Sequence, residues 1–286
     1  MVAFISVKLQ LQTTTNYMQD FLLVIDWNAS PEIVSIGPIT LRWYGLLFAT
    51  GFLLGLMIVT RMFKAEKAPE EWLDKIFVYM IVGAVLGARL GHVFFYEWDY
   101  YSKHLLEIPQ VWRGGLASHG GAIGVITALY IFSRRVSKRP LLWILDKVAV
   151  PTGLAGFLIR LGNLMNSEIV GKPSDAPWAF NFLKNPAVAG TPVHPVQLYE
   201  SISYLLSFFI LYYVYWFTNK KDKLGYVFGL FMVLIWGSRI FMEYFKRSQG
   251  GFETAFGNAL STGQLLSIPF VLIGFYFMFR PTPAKH

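Results

Sequence analysis

The 286-residue chain has no cysteine, and that absence removes several chemistries at once. Disulfides, iron–sulfur clusters, thiolate zinc sites and a cysteine nucleophile are all excluded within it. Charge is sparse as well, with Asp, Glu, Lys and Arg making up 15% of residues. The histidines are His92, His104, His119, His194 and His286, and they show no paired metal-ligand spacing. No metal is therefore assigned. Neither a Gly-x-Ser-x-Gly elbow nor a Walker loop occurs, and no cofactor is implied. No basic stripe carries interleaved aromatics, so the net charge of +8 is no sign of nucleic acid. A cleavable signal is not evident, because Met1 to Asp20 is mixed and polar. Phe21 to Ile25 is too short to span a bilayer and suits its interface.

What the chain has in quantity is apolar surface. Apolar residues are 55% of the total, aromatics 17%, and the mean hydropathy is +0.46. The apolar residues come in long blocks, which places the chain among all-α, polytopic membrane proteins. The blocks predict seven spans: Trp43 to Met62, Ile76 to Tyr96, Leu116 to Phe132, Val148 to Met165, His194 to Phe217, Tyr226 to Phe245 and Gln264 to Phe279. Gly83, Gly87 and Gly91 in the second span have the four-residue spacing of a close helix contact. Gly250 and Gly251 mark a loop. No linker or composition shift divides the chain, so residues 1–286 read as one membrane domain, with 1–35 outside or interfacial. More than half of the 25 Lys and Arg residues fall in the loops after the first, third, fifth and seventh spans and in the tail. The positive-inside rule then sets the N-terminus outside and the C-terminus inside.

Polar residues inside the apolar blocks carry the functional signal. The fourth span runs into Arg160-Leu161-Gly162-Asn163-Leu164-Met165-Asn166-Ser167-Glu168. A charge at mid-bilayer costs at least ~3 kcal/mol and normally faces a protein interior or a water-filled cavity. At about 100° per residue, Arg160, Asn163 and Ser167 share one helical stripe, flanked by Asn166 and Glu168. A helix–helix hydrogen-bond seam would use such a stripe; so would a substrate site in which Arg160 meets an anion.

Arg89, Arg160 and Arg239 each lie about 12–13 residues into spans that run from inside to outside, roughly 20 Å up a ~30 Å core. His119, at the head of the third span, and Tyr44, at the head of the first, can reach the same depth. Glu243 follows Arg239 by one turn and can pair with it. Clustered guanidinium groups match the oxygens of a lipid phosphate. The structural alternatives are an internal ion pair or a snorkelling side chain for Arg89, and a buried salt bridge for Arg239 with Glu243.

These residues resemble the signature of the bacterial phosphatidylglycerol–prolipoprotein diacylglyceryl transferase family. The matching pieces are His119-Gly120-Gly121, Arg160 to Glu168 with Gly171, and Arg42-Trp43-Tyr44-Gly45. His194-Pro195, Gln197 to Glu200, Arg239 with Glu243, and Gly263 to Pro269 complete them. They run in family order from about residue 36 to 270. Ile159 stands where the family usually has glycine, and Lys246 where arginine is common; the latter reads as a peripheral phosphate contact.

The resemblance implies a bacterial inner-membrane enzyme with its site toward the periplasm. It implies transfer of an sn-1,2-diacylglyceryl group from phosphatidylglycerol to the lipobox cysteine thiol of a prolipoprotein signal peptide, releasing glycerol-1-phosphate. In that frame Arg160 and Arg239 neutralise the phosphate, Asn163 and Asn166 orient head-group oxygens, and Tyr44 binds the head group. Glu168 and Glu243 fix the arginines, and Gly171 belongs to the binding motif. His119 either takes the thiol proton or only holds the lipid. The rival reading is a transporter or channel for an anionic solute, although internal repeats are not apparent.

Overall fold

A lipid-facing backbone must satisfy its own hydrogen bonds, and an apolar run does so by coiling into a helix. In the computed structural model, residues 24–37, 39–247 and 260–281 are described; Met1 to Leu23 of the expected N-terminal segment and the Gly250-Gly251 loop lie outside them. Six helices are long and apolar enough to cross a membrane. They are α1 (Trp43–Ala65), α2 (Glu71–Phe95), α5 (Leu141–Met165), α6 (Val196–Phe217), α7 (Tyr226–Met242, continued by a 3-10 turn to Phe245) and α8 (Thr262–Phe279). Between them lie a short α3 (Trp98–Tyr101) and α4 (Ser118–Phe132). The expected third span corresponds to α4, whose 15 residues reach roughly 22 Å at 1.5 Å each, short of a ~30 Å core. A π-helical turn, Ser133–Ser137, extends it to Arg134 and Arg135. Large apolar side chains such as Leu53, Met57, Ile123 and Leu206 are exposed on these helices, as contact with lipid requires.

Two compact units emerge, residues 56–148 and the remainder of the chain. The first is built on α2 and α4. A Cβ on Gly87 would lie 2.7 Å from Gly124 Cα, and one on Gly91 would lie 2.7 Å from Gly120 Cα. Backbone, not a flexible side chain, occupies that space. Gly124→Val is therefore expected to destabilise the protein by about 1–3 kcal/mol through overpacking. Thermal unfolding in detergent measures this, and an unchanged midpoint would show that the helices can separate.

Arg89 sits in this unit and is only 2% exposed. Nε donates to Ile108 O (2.7 Å), Nη1 to Gly114 O (2.8 Å) and Nη2 to Glu107 O (2.7 Å), with Tyr101 against the guanidinium. Nε, Nη1 and Nη2 are thus each engaged by a loop carbonyl, and Arg89 has no ion pair among the described residues. At the other end of the unit, Lys147 Nζ lies 2.9 Å from Glu66 Oε1 and 3.7 Å from the Trp143 ring centroid. Trp143 Nε1 donates to Glu66 Oε2 at 2.8 Å. Lys147 is thereby buried within the helix, and Asp146 beside it is buried as well. As a result α5 starts at Leu141, earlier than the apolar run alone predicts.

The other unit carries the β-structure. Strand β1 (Ile25–Trp27) pairs in parallel with β4 (Phe180–Phe182), and β2 (Glu32–Ile36) forms a hairpin with β3 (Ile39–Arg42). Trp27, Leu164, Val170, Phe180, Phe182 and Val193 belong to a buried cluster at the end of α5. Trp27 Nε1 donates to Leu164 O at 3.0 Å. The polar run therefore emerges from its helix against a packed cap.

Candidate active site

Helix α5 closes through a paired reversal. The Ser167 amide donates to Leu164 O (3.0 Å) and the Glu168 amide to Asn163 O (3.1 Å). This bond pair requires a left-handed residue between them, here Ser167 at φ +55°. Ile169 follows at φ +58°, where β-branched residues are rare. Ser167 is thus not on a helical stripe with Arg160. Its buried Oγ has no hydrogen-bond partner among the described residues.

The reversal carries Glu168 back over the last turn. Its Oε1 accepts from Asn163 Nδ2 (2.8 Å) and Asn166 Nδ2 (3.2 Å). Gln197 Nε2 donates to Glu168 O (2.6 Å), and Asn185 Nδ2 to Ser167 O (2.8 Å). Glu168 therefore orders the two asparagines, where the sequence suggested that it fixed an arginine.

The carboxylate that fixes Arg160 is Glu200, on the first turns of α6. Arg160 Nε lies 2.8 Å from Glu200 Oε2, and Arg160 Nη1 donates to Asn163 Oδ1 at 3.0 Å. These contacts use two of the five N–H donors of the guanidinium. Glu200 is 1% exposed, and its other oxygen lies 2.6 Å from Lys246 Nζ. Lys246 is itself 6% exposed, so it is buried between the carboxylates and not peripheral as the sequence suggested. The same ammonium is 3.8 Å from Glu243 Oε1, and Arg239 Nε is 3.9 Å from that oxygen. Ser261 Oγ donates to Glu243 Oε2 at 3.1 Å. One alternating chain results: Arg160, Glu200, Lys246, Glu243, Arg239.

Arg239 differs from Arg160 in one respect. Its Nε is buried yet makes no hydrogen bond among the described residues, and 3.9 Å to Glu243 is too long for one. Tyr204 lies within coulombic range of both arginines and of Glu200. Tyr44, on the first turn of α1, is in range of Arg160 and Glu168. A Cβ on Gly162 would lie 2.8 Å from Tyr44 Cδ2, so glycine there lets the ring rest on α5.

Backbone bridges hold this constellation. The Gly171 amide donates to His194 O (3.0 Å), the Lys172 amide to Phe245 O (2.8 Å), and the His194 amide to Lys172 O (3.0 Å). A Cβ on Gly171 would lie 2.6 Å from His194 O, which gives that glycine a steric role. His119 belongs to the other unit, exposed in the first turn of α4, and Gly120 beside it packs on Gly87 and Gly91. The sequence motifs thus gather Tyr44, Arg160, Asn163, Asn166, Glu168, Arg239 and Glu243 in one unit. Glu200 and Lys246 were missed as direct partners, although both lie in or beside the motifs.

His194 Nδ1 is 3.1 Å from the Tyr199 hydroxyl, which accepts from Trp178 Nε1 at 2.7 Å. Burial pushes the His194 pKa below its ordinary 6.5. The neutral ring is therefore favoured by folding. Stability from this group is complete above about pH 6.5 and is lost as pH falls from there toward the folded value. The unfolding midpoint is expected to drop across that window, and less so in His194→Gln. Equal slopes in the two proteins would exclude His194 as the cause.

The family model described as prolipoprotein diacylglyceryl transferase matches residues 31–280. Among curated relatives, a phosphatidylglycerol–prolipoprotein diacylglyceryl transferase from Tolumonas auensis is 46% identical over 259 residues, covering 91% of this chain and 98% of its own. The protein of that name from Chloroherpeton thalassium is 48% identical over 256 residues, covering 90% and 94%. Its counterpart from Porphyromonas gingivalis is 41% identical over 266 residues, covering 90% and 94%.

Proposed function

The chain belongs to the prolipoprotein diacylglyceryl transferase family, and we propose that the ion chain from Arg160 to Arg239 carries its reaction. The protein is a multi-pass membrane transferase. It moves a diacylglyceryl group from phosphatidylglycerol to a prolipoprotein, the first step of lipoprotein maturation.

The acceptor in this reading is the thiol of the lipobox cysteine in the signal peptide. Deprotonation of that thiol gives the nucleophile. The thiolate sulfur attacks the glyceryl carbon that bears the phosphate, and a carbon–sulfur thioether bond forms. The carbon–oxygen bond to phosphate breaks, and its electron pair leaves with the oxygen as glycerol-1-phosphate. Negative charge grows on that oxygen in the transition state. Fixed guanidinium groups in a water-poor site stabilise such charge without reorganising. Arg160, held by Glu200 and Asn163, supplies one fork, and Arg239 supplies the other. Asn163 and Asn166, ordered by Glu168, position head-group oxygens together with Tyr44. His119 holds the lipid or receives the thiol proton; Glu243 steadies Arg239. The site faces the periplasmic side of the bacterial inner membrane, with the N-terminus outside and the C-terminus inside. No cofactor enters the reaction.

The single observation that carries this reading is the under-used Arg239 Nε at the end of a buried ion chain that begins at Arg160. A phosphate between two such arginines would complete their hydrogen bonding. The test is incubation of purified protein in detergent with phosphatidylglycerol and a lipobox peptide, read by mass spectrometry. A diacylglyceryl adduct on cysteine is expected. Its absence with folded protein, over varied lipids and peptides, would overturn the reading in favour of a path for an anionic solute.

A further inference from the structure

Lys246 was the least expected member of the ion chain, and its surroundings define a task. Its ammonium lies 2.6 Å from Glu200 Oε1 and 3.8 Å from Glu243 Oε1, so one cation serves two carboxylates. Each carboxylate in turn faces one arginine, at 2.8 Å for Arg160 and 3.9 Å for Arg239. Lys246 is also fixed through its backbone, by a bridge to Gly171 beyond the end of α5. With a side chain only 6% exposed, it has little surface left to offer a ligand.

We propose that Lys246 is a positioning residue: it holds Glu200 and Glu243 in the orientations that aim Arg160 and Arg239 at the substrate phosphate. The assignment rests on the transferase reading above. Without the ammonium, two buried carboxylates would share a site with no cation between them. Like charges that close repel each other and swing apart. A displaced Glu200 or Glu243 no longer anchors its arginine, and the fork is free to turn. Substrate capture would survive through the remaining donors, but the geometry needed as charge develops would not.

The measurement is transfer from phosphatidylglycerol to a lipobox peptide, resolved into kcat and KM for the lipid. Lys246→Met is expected to lower kcat about 10- to 100-fold with KM within about twofold, the pattern of an interaction realised in the transition state. Lys246→Arg restores the cation and is expected to keep kcat within about threefold of the parent. Lys246→Met is expected to cost less in a Glu200→Gln background than in the parent, because the Glu200 arm is lost to both substitutions while the Glu243 arm is lost only with Lys246. A raised KM at unchanged kcat would identify a direct phosphate contact and overturn the proposal. So would multiplicative losses in the double variant, or failure of Lys246→Arg to rescue. If Lys246→Met does not fold, Lys246→Gln takes its place in the same comparisons and is read by the same criteria. Arg160→Ala in parallel separates the two readings. An active Arg160→Ala removes the proposed site itself. An inactive Arg160→Ala beside a normal Lys246→Met removes only the positioning role.

Discussion

Arg160→Ala is expected to lower the transfer rate by at least about 10³-fold, more than loss of one preorganised donor usually costs. The substitution removes a whole fork of donors, and it leaves Glu200 facing the site with one cation fewer. Arg160→Lys is the informative companion. It keeps the charge but not the planar fork that spans Glu200, Asn163 and a phosphate, and a loss of about 10²-fold is expected. Both rates come from the appearance of the lipid-modified peptide by mass spectrometry. Thermal unfolding in the same detergent shows whether the variants are folded. Transfer near the parental rate from folded Arg160→Ala would take Arg160 out of the site.

Glu200→Ala is expected to have the largest effect on stability, a loss of about 3–5 kcal/mol. The magnitude follows from burial. Glu200 is 1% exposed and stands between Arg160 and Lys246, which are themselves mostly shielded. Removing it strands two cations where water cannot replace it. A suitable control is Lys75→Ala, because Lys75 pairs with Glu71 at 3.1 Å with both side chains about half exposed or more. That variant should cost less than about 1 kcal/mol. Equal unfolding midpoints for the two variants would mean that water reaches Glu200 freely.

The helices were legible because an apolar block long enough to span is a strong signal, and its ends needed only a turn or a charge. The polar run was legible for the opposite reason, since Arg160 and Asn163 are costly anywhere but a site or a seam. The sequence failed where partners are distant in the chain. Arg160 had a glutamate nearby in Glu168, and the reversal at Ser167 sends that carboxylate to the asparagines. The true partner arrives on the next span. Arg89 looked like its two companions by depth alone; nothing local shows that carbonyls of residues 107, 108 and 114 fold back onto it. Lys147 looked like a loop residue because its partner, Glu66, lies far back in the chain, just past the end of α1. His119 stays a proposal drawn from its motif.

The ion chain also bears on how such a protein enters a bilayer. Its five charges are divided among three consecutive spans and the segment after the last: α7 brings Arg239 and Glu243 together, but α5 brings Arg160 and α6 brings Glu200 with no partner from the ion chain on the same span. An isolated charged side chain at mid-membrane costs about 3 kcal/mol on an insertion scale. Arg160 finds its carboxylate only when α6 has arrived, and Glu200 is fully matched only when Lys246 follows α7. Biogenesis must then deliver α5 and α6 to the lipid as a group, and a nascent chain halted between them would hold unmatched charge.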